Sequence, residues 1–136
     1  MRKLLLIINP VAGRNQAQAD LFKMVRVFAE HDCEVTVYPT RGPQDCTRKV
    51  LADAGRFDLV VCCGGDGTLN EMVSGMMQRE EPVPMGYIPL GSTNDFAASL
   101  HLPSHVEEAA LRCVEGTAFH LDVGSLNDRH FNYIPA

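Results

Sequence analysis

The stretch Leu59-Val60-Val61-Cys62-Cys63-Gly64-Gly65-Asp66-Gly67-Thr68-Leu69-Asn70-Glu71 constrains the fold of this chain more than any other. An unbroken apolar run after Asp58 suits a strand buried on both faces, which occurs in parallel sheets. The glycines that end it let the backbone turn sharply or lie close to a ligand. Behind them Leu69, Met72, Val73, Met76 and Met77 recur at helical spacing as one apolar stripe, with Asn70, Glu71, Ser74 and Gln78 off it. A strand, a glycine turn and a helix N-terminus together present amide hydrogens and a positive dipole end to an anion, and phosphate is the first candidate.

The pattern repeats along the chain. Leu4 to Ile8 is a second apolar run and ends in the turn Asn9 to Arg14, after which Leu21, Phe22, Val25, Phe28 and Ala29 mark a helix from about Asn15 to His31. Cys33 to Tyr38 alternates as an edge-type strand and stops at Pro39 to Pro43. A helix from Gln44 to Ala54 places Cys46, Val50, Leu51 and Ala54 inward, with Gly55 as its C-cap. After Glu80 to Pro84, Met85 to Ile88 reads as a short buried strand leading into Gly91 to Ala97, where Asn94 or Asp95 caps a brief helix. A proline and an S-x-x-E capping box, Pro103 to Glu107, then open a helix with Val106, Ala109, Ala110, Cys113 and Val114 on one face, ending at Gly116. The order βαβαβαβ predicts an α/β fold with a parallel sheet covered on both faces. Ala118 to Val123 and Phe131 to Ile134 flank a polar Asn127-Asp128-Arg129 turn and read as a hairpin that starts a second, antiparallel domain cut off at Ala136.

Composition narrows the function. With 136 residues the chain suits a single core that needs no staples. A net charge of -5 with the 12 Lys and Arg scattered argues against a nucleic-acid-binding face. The apolar run after Met1-Arg2-Lys3 is too short for a signal peptide or a membrane span, so the protein is expected in the cytoplasm. Five cysteines without a C-x-x-C pair read as reduced core thiols, Cys62 and Cys63 pointing to opposite faces. The histidines show no metal-ligand spacing.

In an open parallel sheet, ligands bind beyond the carboxyl ends of the strands, where this chain places its four polar, glycine-bearing turns. Asn9 to Arg14, Thr40 to Gly42, Gly64 to Thr68 and Gly91 to Asp95 are therefore expected to converge. Neither G-x-x-x-x-G-K-[ST] nor G-x-G-x-x-G occurs among them. Asp66, between Gly65 and Gly67, stands out, because a carboxylate beside a phosphate is repelled unless a cation such as Mg2+ lies between them. Its alternative role is to cap the helix. Thr68 and Glu71 serve either as ligands or as a T-x-x-E capping box. Arg14 either clamps a phosphate or faces solvent, Thr40 touches a nucleoside or ends a strand, and Asn94 and Asp95 orient the site or cap the short helix.

Asn9-Pro10-x-x-Gly13, Gly64-Gly65-Asp66-Gly67-Thr68 and Gly91-Ser92-Thr93-Asn94-Asp95-Phe96 together resemble the catalytic domain of the diacylglycerol kinase and bacterial lipid kinase family, over nearly the whole chain. Gly-Gly-Asp-Gly-Thr alone also fits NAD kinases, which share the superfamily, and the Asn-Asp-Phe loop indicates the lipid kinase branch. The resemblance implies a three-layer α/β domain followed by an antiparallel β-sandwich, with residues 1–116 as the nucleotide-binding kinase domain and residues 117–136 as the start of the second domain. It implies Mg2+ and ATP, with Asn9, Arg14, Thr40, Gly64, Gly65, Asp66, Gly67, Thr68, Asn70, Glu71, Thr93, Asn94 and Asp95 at nucleotide-binding positions and Asp66 as the metal ligand and catalytic residue. It also implies a lipid acceptor met at the membrane surface by a peripheral enzyme, and a general base and structural metal site in the second domain. The 136-residue chain alone is then expected to be inactive. Arg14 and Thr93 stand where the family often has Lys or Gly and Gly respectively. An NAD kinase-like enzyme and a non-catalytic nucleotide-binding module are the alternatives; a homodimer is among the states the sequence allows, and the lipid acceptor is not specified by it.

Overall fold

The structure, a computed structural model, describes residues 1–90, 105–116, 119–122 and 130–134. Strands β1 (Arg2–Ile8), β2 (Cys33–Pro39), β3 (Leu59–Gly64) and β4 (Met85–Pro89) alternate with helices α1 (Ala12–Glu30), α2 (Asp45–Asp53) and α3 (Asp66–Met77). Helix α4 (His105–Glu115) and the strands β5 (Phe119–Asp122) and β6 (His130–Ile134) follow. β1 pairs in parallel with β2 and β3, and β3 with β4. The hairpin strands pair antiparallel with each other, and β6 continues the sheet in parallel beside β4, giving the order β2-β1-β3-β4-β6-β5. The α/β fold with a parallel sheet, expected from the alternation of apolar runs and helical stripes, is the fold observed.

The two-residue repeat of a strand divides the core into two layers. Leu4, Leu6, Ile8, Leu59, Val61, Cys63 and Ile88 face one side, where Met24 and Phe28 of α1 and Val106, Ala110 and Cys113 of α4 cover them. Leu5, Ile7, Val60, Cys62 and Met85 face the other, under Cys46 and Val50 of α2 and Met72 and Met76 of α3. Cys62 and Cys63 thus point to opposite faces, and all five cysteines are buried and unpaired. The central strands are fully buried because helices lie on both sides of them, which is why they read as continuous apolar runs. The connection β1-α1-β2 runs one way along the sheet and the next two connections run the other, with α1 on one face and α2 and α3 on the opposite one. Right-handed crossovers require this switch of face when the direction reverses, and it leaves a switch point between β1 and β3.

Several local expectations shift. Helix α1 begins at Ala12, not near Asn15, and its inner face is Ala17, Asp20, Met24 and Phe28; Phe22 is 72% exposed and Ala29 is exposed. A small residue and a carboxylate lie on the buried line, so counting large apolar side chains rotates the face by a residue. Asp20 is tolerated there because Gln16 Nε2 donates to its Oδ2 at 3.1 Å and Lys23 Nζ stands 3.4 Å from Oδ1. On α2, Leu51 is exposed, while Thr47 is buried and its hydroxyl donates to the Glu71 carbonyl at 2.8 Å. Gly55 is not a left-handed C-cap: the chain passes through a single 3-10 turn, Ala54–Arg56. Its missing side chain makes room for Arg79, whose guanidinium would meet a Cβ there at 2.6 Å as it reaches the α2 carbonyls of Val50 and Leu51. The capping box at Pro103 to Glu107 and the Asn127 to Arg129 turn extend into residues outside those described.

Gly75 shows how closely α2 and α3 approach. A Cβ at this position would lie 2.9 Å from Val50 Cβ and 3.0 Å from the Thr47 carbonyl oxygen, neither of which is the end of a flexible chain. Overpacking of this kind costs about 1–3 kcal/mol, whereas Gly to Ala inside a helix gains up to about 1 kcal/mol. Packing therefore outweighs propensity, and Gly75→Ala should lower stability by about 1–2 kcal/mol in urea unfolding; a stabilised variant would show that the helices have room to part.

Candidate active site

A cleft of about 480 Å³ opens where the β1-α1, β2-α2 and β3-α3 connections meet, at the carboxyl ends of the strands and over the switch point. Of the residues singled out in the sequence, Asn9, Thr40, Gly67, Thr68 and Glu71 stand in its wall. Pro10, Val11, Arg41, Gly42, Pro43 and Cys46 complete it.

Each connection is anchored to the sheet before it enters the cleft. The Asn9 amide donates to the Cys63 carbonyl at 2.9 Å and the Thr40 amide to the Ile8 carbonyl at 2.9 Å. Asn9 Oδ1 accepts from the Val11 amide at 3.2 Å and its carbonyl from the Ala12 amide at 3.1 Å, so Asn9 shapes its own turn. Gly13 follows at φ +58°, a left-handed conformation that glycine adopts without strain. Arg14 lies in the first turn of α1, and its side chain is outside the described set, as are Thr93, Asn94 and Asp95.

The β3-α3 turn differs from the expected capping arrangement. Helix α3 starts at Asp66 with Gly65 as its N-cap, and no side chain caps it. The amides of Thr68 and Leu69 both bond to the Gly65 carbonyl, at 3.1 and 3.2 Å. Asp66 is therefore the first helical residue and not the cap, and Thr68 with Glu71 forms no capping box; the glycine before Asp66 lets the helix start three residues earlier than the box would place it. Asp66 is exposed, Thr68 is buried and Glu71 is half-buried. Asn70, Gly64, Gly65 and Asp66 are not among the cleft's wall residues, and Asn70 is exposed.

The three glycines have different causes. A Cβ on Gly64 would strike Thr68 Oγ1 at 2.6 Å and Thr68 Cβ at 3.0 Å, so the protein itself forbids a side chain there. At Gly65 and Gly67 a Cβ would meet nothing within 4 Å, and neither has a positive φ. Folding alone does not require glycine at these two positions. Backbone left bare beside open space is the form a phosphate-accepting turn takes.

The β2-α2 connection holds residues that the sequence reading passed over. Asp45 is 3% exposed and accepts hydrogen bonds from the Tyr38 hydroxyl at 2.9 and 3.0 Å, the Arg41 amide at 2.9 Å and Arg48 Nη2 at 3.1 Å. Burial disfavours its charge, but the Arg41 amide, Tyr38 and Arg48 outweigh burial and hold its carboxyl below the ordinary value. The available signal was an Asp just inside a helix start, which reads equally as a cap. Cys46 is also in the wall, and burial, with Glu71 and Asp45 nearby, pushes its thiol up to about 12, so it is protonated and not a nucleophile.

The wall thus offers two hydroxyls, one guanidinium, one carboxylate and bare backbone, with no activated nucleophile. Such a set has the chemistry to bind and orient a charged, polar ligand. Among the described residues no three His, Cys, Asp or Glu side chains gather around one point. The exposed carboxylate of Asp66 is nevertheless the donor type that suits Mg2+, which keeps several waters and takes one or two carboxylates plus ligand phosphates.

Fold and cleft define an open α/β domain with a glycine-bearing cleft at the switch point of its parallel strands. A family model described as "Diacylglycerol kinase catalytic domain" matches residues 3–126, and the chain belongs to that family. It is 34% identical over 133 residues to a diacylglycerol kinase of Bacillus subtilis (strain 168), covering 96% of this chain and 44% of that protein. A diacylglycerol kinase of Staphylococcus aureus (strain bovine RF122 / ET3-1) is also 34% identical, with 96% and 42% covered. The solved structure of a diacylglycerol kinase from Bacillus anthracis str. Sterne superposes with a TM-score of 0.74 at 32% identity, covering 96% of this chain and 48% of that one. The chain spans less than half the length of these relatives.

The depressed Asp45 carboxyl has a pH signature. Its ordinary value is 3.8 and the folded value is lower, so the stability it contributes is fully present above 3.8 and is lost as pH falls through the folded value. The advantage of the wild-type chain over Asp45→Asn in urea unfolding should therefore hold at about pH 6 and shrink below about pH 4. A gap that stays constant down to about pH 2 would contradict this assignment.

Proposed function

We propose that this chain is the nucleotide-binding part of an ATP-dependent lipid kinase, which transfers the γ-phosphoryl group of Mg-ATP to the hydroxyl of diacylglycerol or a related lipid. The observation that carries the reading is the pair Gly65 and Gly67, bare where the fold has no need of bareness, on either side of the exposed carboxylate of Asp66. The phosphate chain is assigned to this turn, with the amides of Asp66 and Gly67, which the bonds from Thr68 and Leu69 to the Gly65 carbonyl leave over, toward its oxygens. Asp66 is the side chain assigned to Mg2+, which when bound would neutralise phosphate charge. Thr40, Thr68 and Asn9 orient the nucleotide from the other walls. Arg14, Thr93, Asn94 and Asp95 are assigned to the same nucleotide on the family resemblance, as is Asn70. Phosphoryl transfer asks mainly for positioning and charge stabilisation, which a wall without an activated nucleophile can supply.

The acceptor's general base and much of the lipid pocket are assigned to a second, β-rich domain. The relatives' length supports such a domain, and the chain alone is then inactive. Their names favour a lipid hydroxyl over the NAD kinase-like alternative and over a non-catalytic module. The enzyme acts from the cytoplasm as a peripheral protein; among the described residues, no helix is long and apolar enough to cross a membrane.

Two substitutions test the turn in the full-length protein. Asp66→Ala should cut diacylglycerol phosphorylation by about 10²-fold or more while circular dichroism and melting stay unchanged; near-normal turnover would sink the assignment. Gly67→Ala should keep or raise thermal stability, by up to about 1 kcal/mol of helix propensity, and weaken ATP binding about tenfold. Unchanged ATP affinity in that variant would remove the close approach on which the reading stands.

A further inference from the structure

We propose that Arg41 binds the phosphate chain of the nucleotide and that Asp45 is the residue that positions it, through a hub that holds the whole β2-α2 lip of the cleft. This rests on the nucleotide reading above and adds to it a cation and its support, neither of which belongs to the glycine turn.

Asp45 is the first residue of α2, but its carboxylate does not cap that helix, from which it takes only the Arg48 guanidinium at 3.1 Å. It turns back instead to the Arg41 amide at 2.9 Å and the Tyr38 hydroxyl at 2.9 and 3.0 Å, while its own amide donates to the Gly42 carbonyl at 3.2 Å. Residues 41 to 45 are thereby closed into a loop cross-braced at both ends. Gln44, within it, has φ +70°, a left-handed conformation that strains a non-glycine residue. The bonds to Asp45 hold that strain in place. A carboxylate with its side chain 4% exposed is costly to desolvate and persists only when its donors repay it. Here the donors come from the strand end, the loop and the helix that surround one wall of the cleft.

The hub is itself supported. Lys49 Nζ lies 4.6 Å from the centre of the Tyr38 ring and 2.6 Å from Asp53 Oδ2, so the ring that presents the hydroxyl is covered by an anchored cation. The product of this bracing is the placement of Arg41. Its amide is bonded to Asp45, and its guanidinium is exposed and part of the cleft wall. As a guanidinium it carries its charge at any physiological pH. Among the described wall residues Arg41 supplies the positive charge, and Thr68 and Glu71 of α3 share that wall. Guanidinium is the side-chain group best matched to phosphate oxygens.

The test measures binding of ATP, inorganic tripolyphosphate and adenosine to the full-length protein in Mg2+ by calorimetry. Arg41→Gln should weaken ATP and tripolyphosphate about tenfold, leave adenosine unchanged, and be largely rescued by Arg41→Lys. Asp45→Asn should weaken ATP about fivefold, and the double variant should be no weaker than Arg41→Gln alone, because Asp45 acts through Arg41. The KM for ATP should rise in step with kcat nearly constant. Additive losses, or an Asp45→Asn variant that melts earlier yet binds ATP normally, would overturn the positioning role. An equal loss of adenosine affinity in Arg41→Gln would overturn the phosphate contact. If the wild-type protein binds neither ATP nor tripolyphosphate, it is the nucleotide reading itself that falls.

Discussion

The close packing around Gly64 is the contact on which the rest of the site depends. Its α-carbon is wedged between Thr68 and Asn9, with Asn9 Cβ 3.3 Å from where its own Cβ would be. Its carbonyl accepts from the Leu90 amide at 2.8 Å and the Tyr87 hydroxyl at 3.0 Å. One residue therefore fixes the end of β3 against the turn after β1, the start of α3 and the end of β4. In a parallel sheet the strand ends are where polar backbone escapes the ladder, so its partners must come from neighbouring connections. Gly64 and Asn9 carry out that exchange, and the cleft is the space left above it.

The two faces of the sheet contribute differently. The α1 and α4 layer is held by apolar contact together with a peripheral ion pair, Arg26 with Glu107, which is partly exposed and of small worth. The α2 and α3 layer carries the cleft, and there the packing is tight enough that Gly75 and Thr47 are needed to let the helices meet. Rigidity is concentrated under the wall that must hold a ligand. Arg79, tying the carbonyl end of α2 to the segment after α3, extends that bracing to the far end of the pair.

Most of the architecture was legible because it depends on periodicity. Continuous apolar runs identified β1 and β3 as central strands, and the stripes of α3 and α4 matched their buried faces. What was misread depends on small or polar residues acting through packing. Ala17 and Asp20 hid the true face of α1, and Gly55 looked like a cap when it is a gap for a guanidinium. The site was legible in part: Asn9, Thr40, Gly67, Thr68 and Glu71 meet in one cleft, as their positions after strands suggested. The role of Asp45 was not, since one carboxylate near a helix start has the same local pattern whether it caps its helix or braces the loop before it. Only the tertiary placement of Tyr38 and Arg41 separates the two.

The buried thiols give the fold a property unrelated to catalysis. Cys46 and Cys62 lie in the layer under α2 and α3, while Cys33, Cys63 and Cys113 lie in the layer under α1 and α4. Burial raises the pKa of every one of them, so none is reactive while its layer is closed. Cys62 and Cys63 are adjacent in sequence but sit on opposite sides of the sheet. Each thiol is thus an internal clock for the opening of its own side, and the chain carries, in neighbouring residues, separate timers for the half that forms the cleft and the half that supports it.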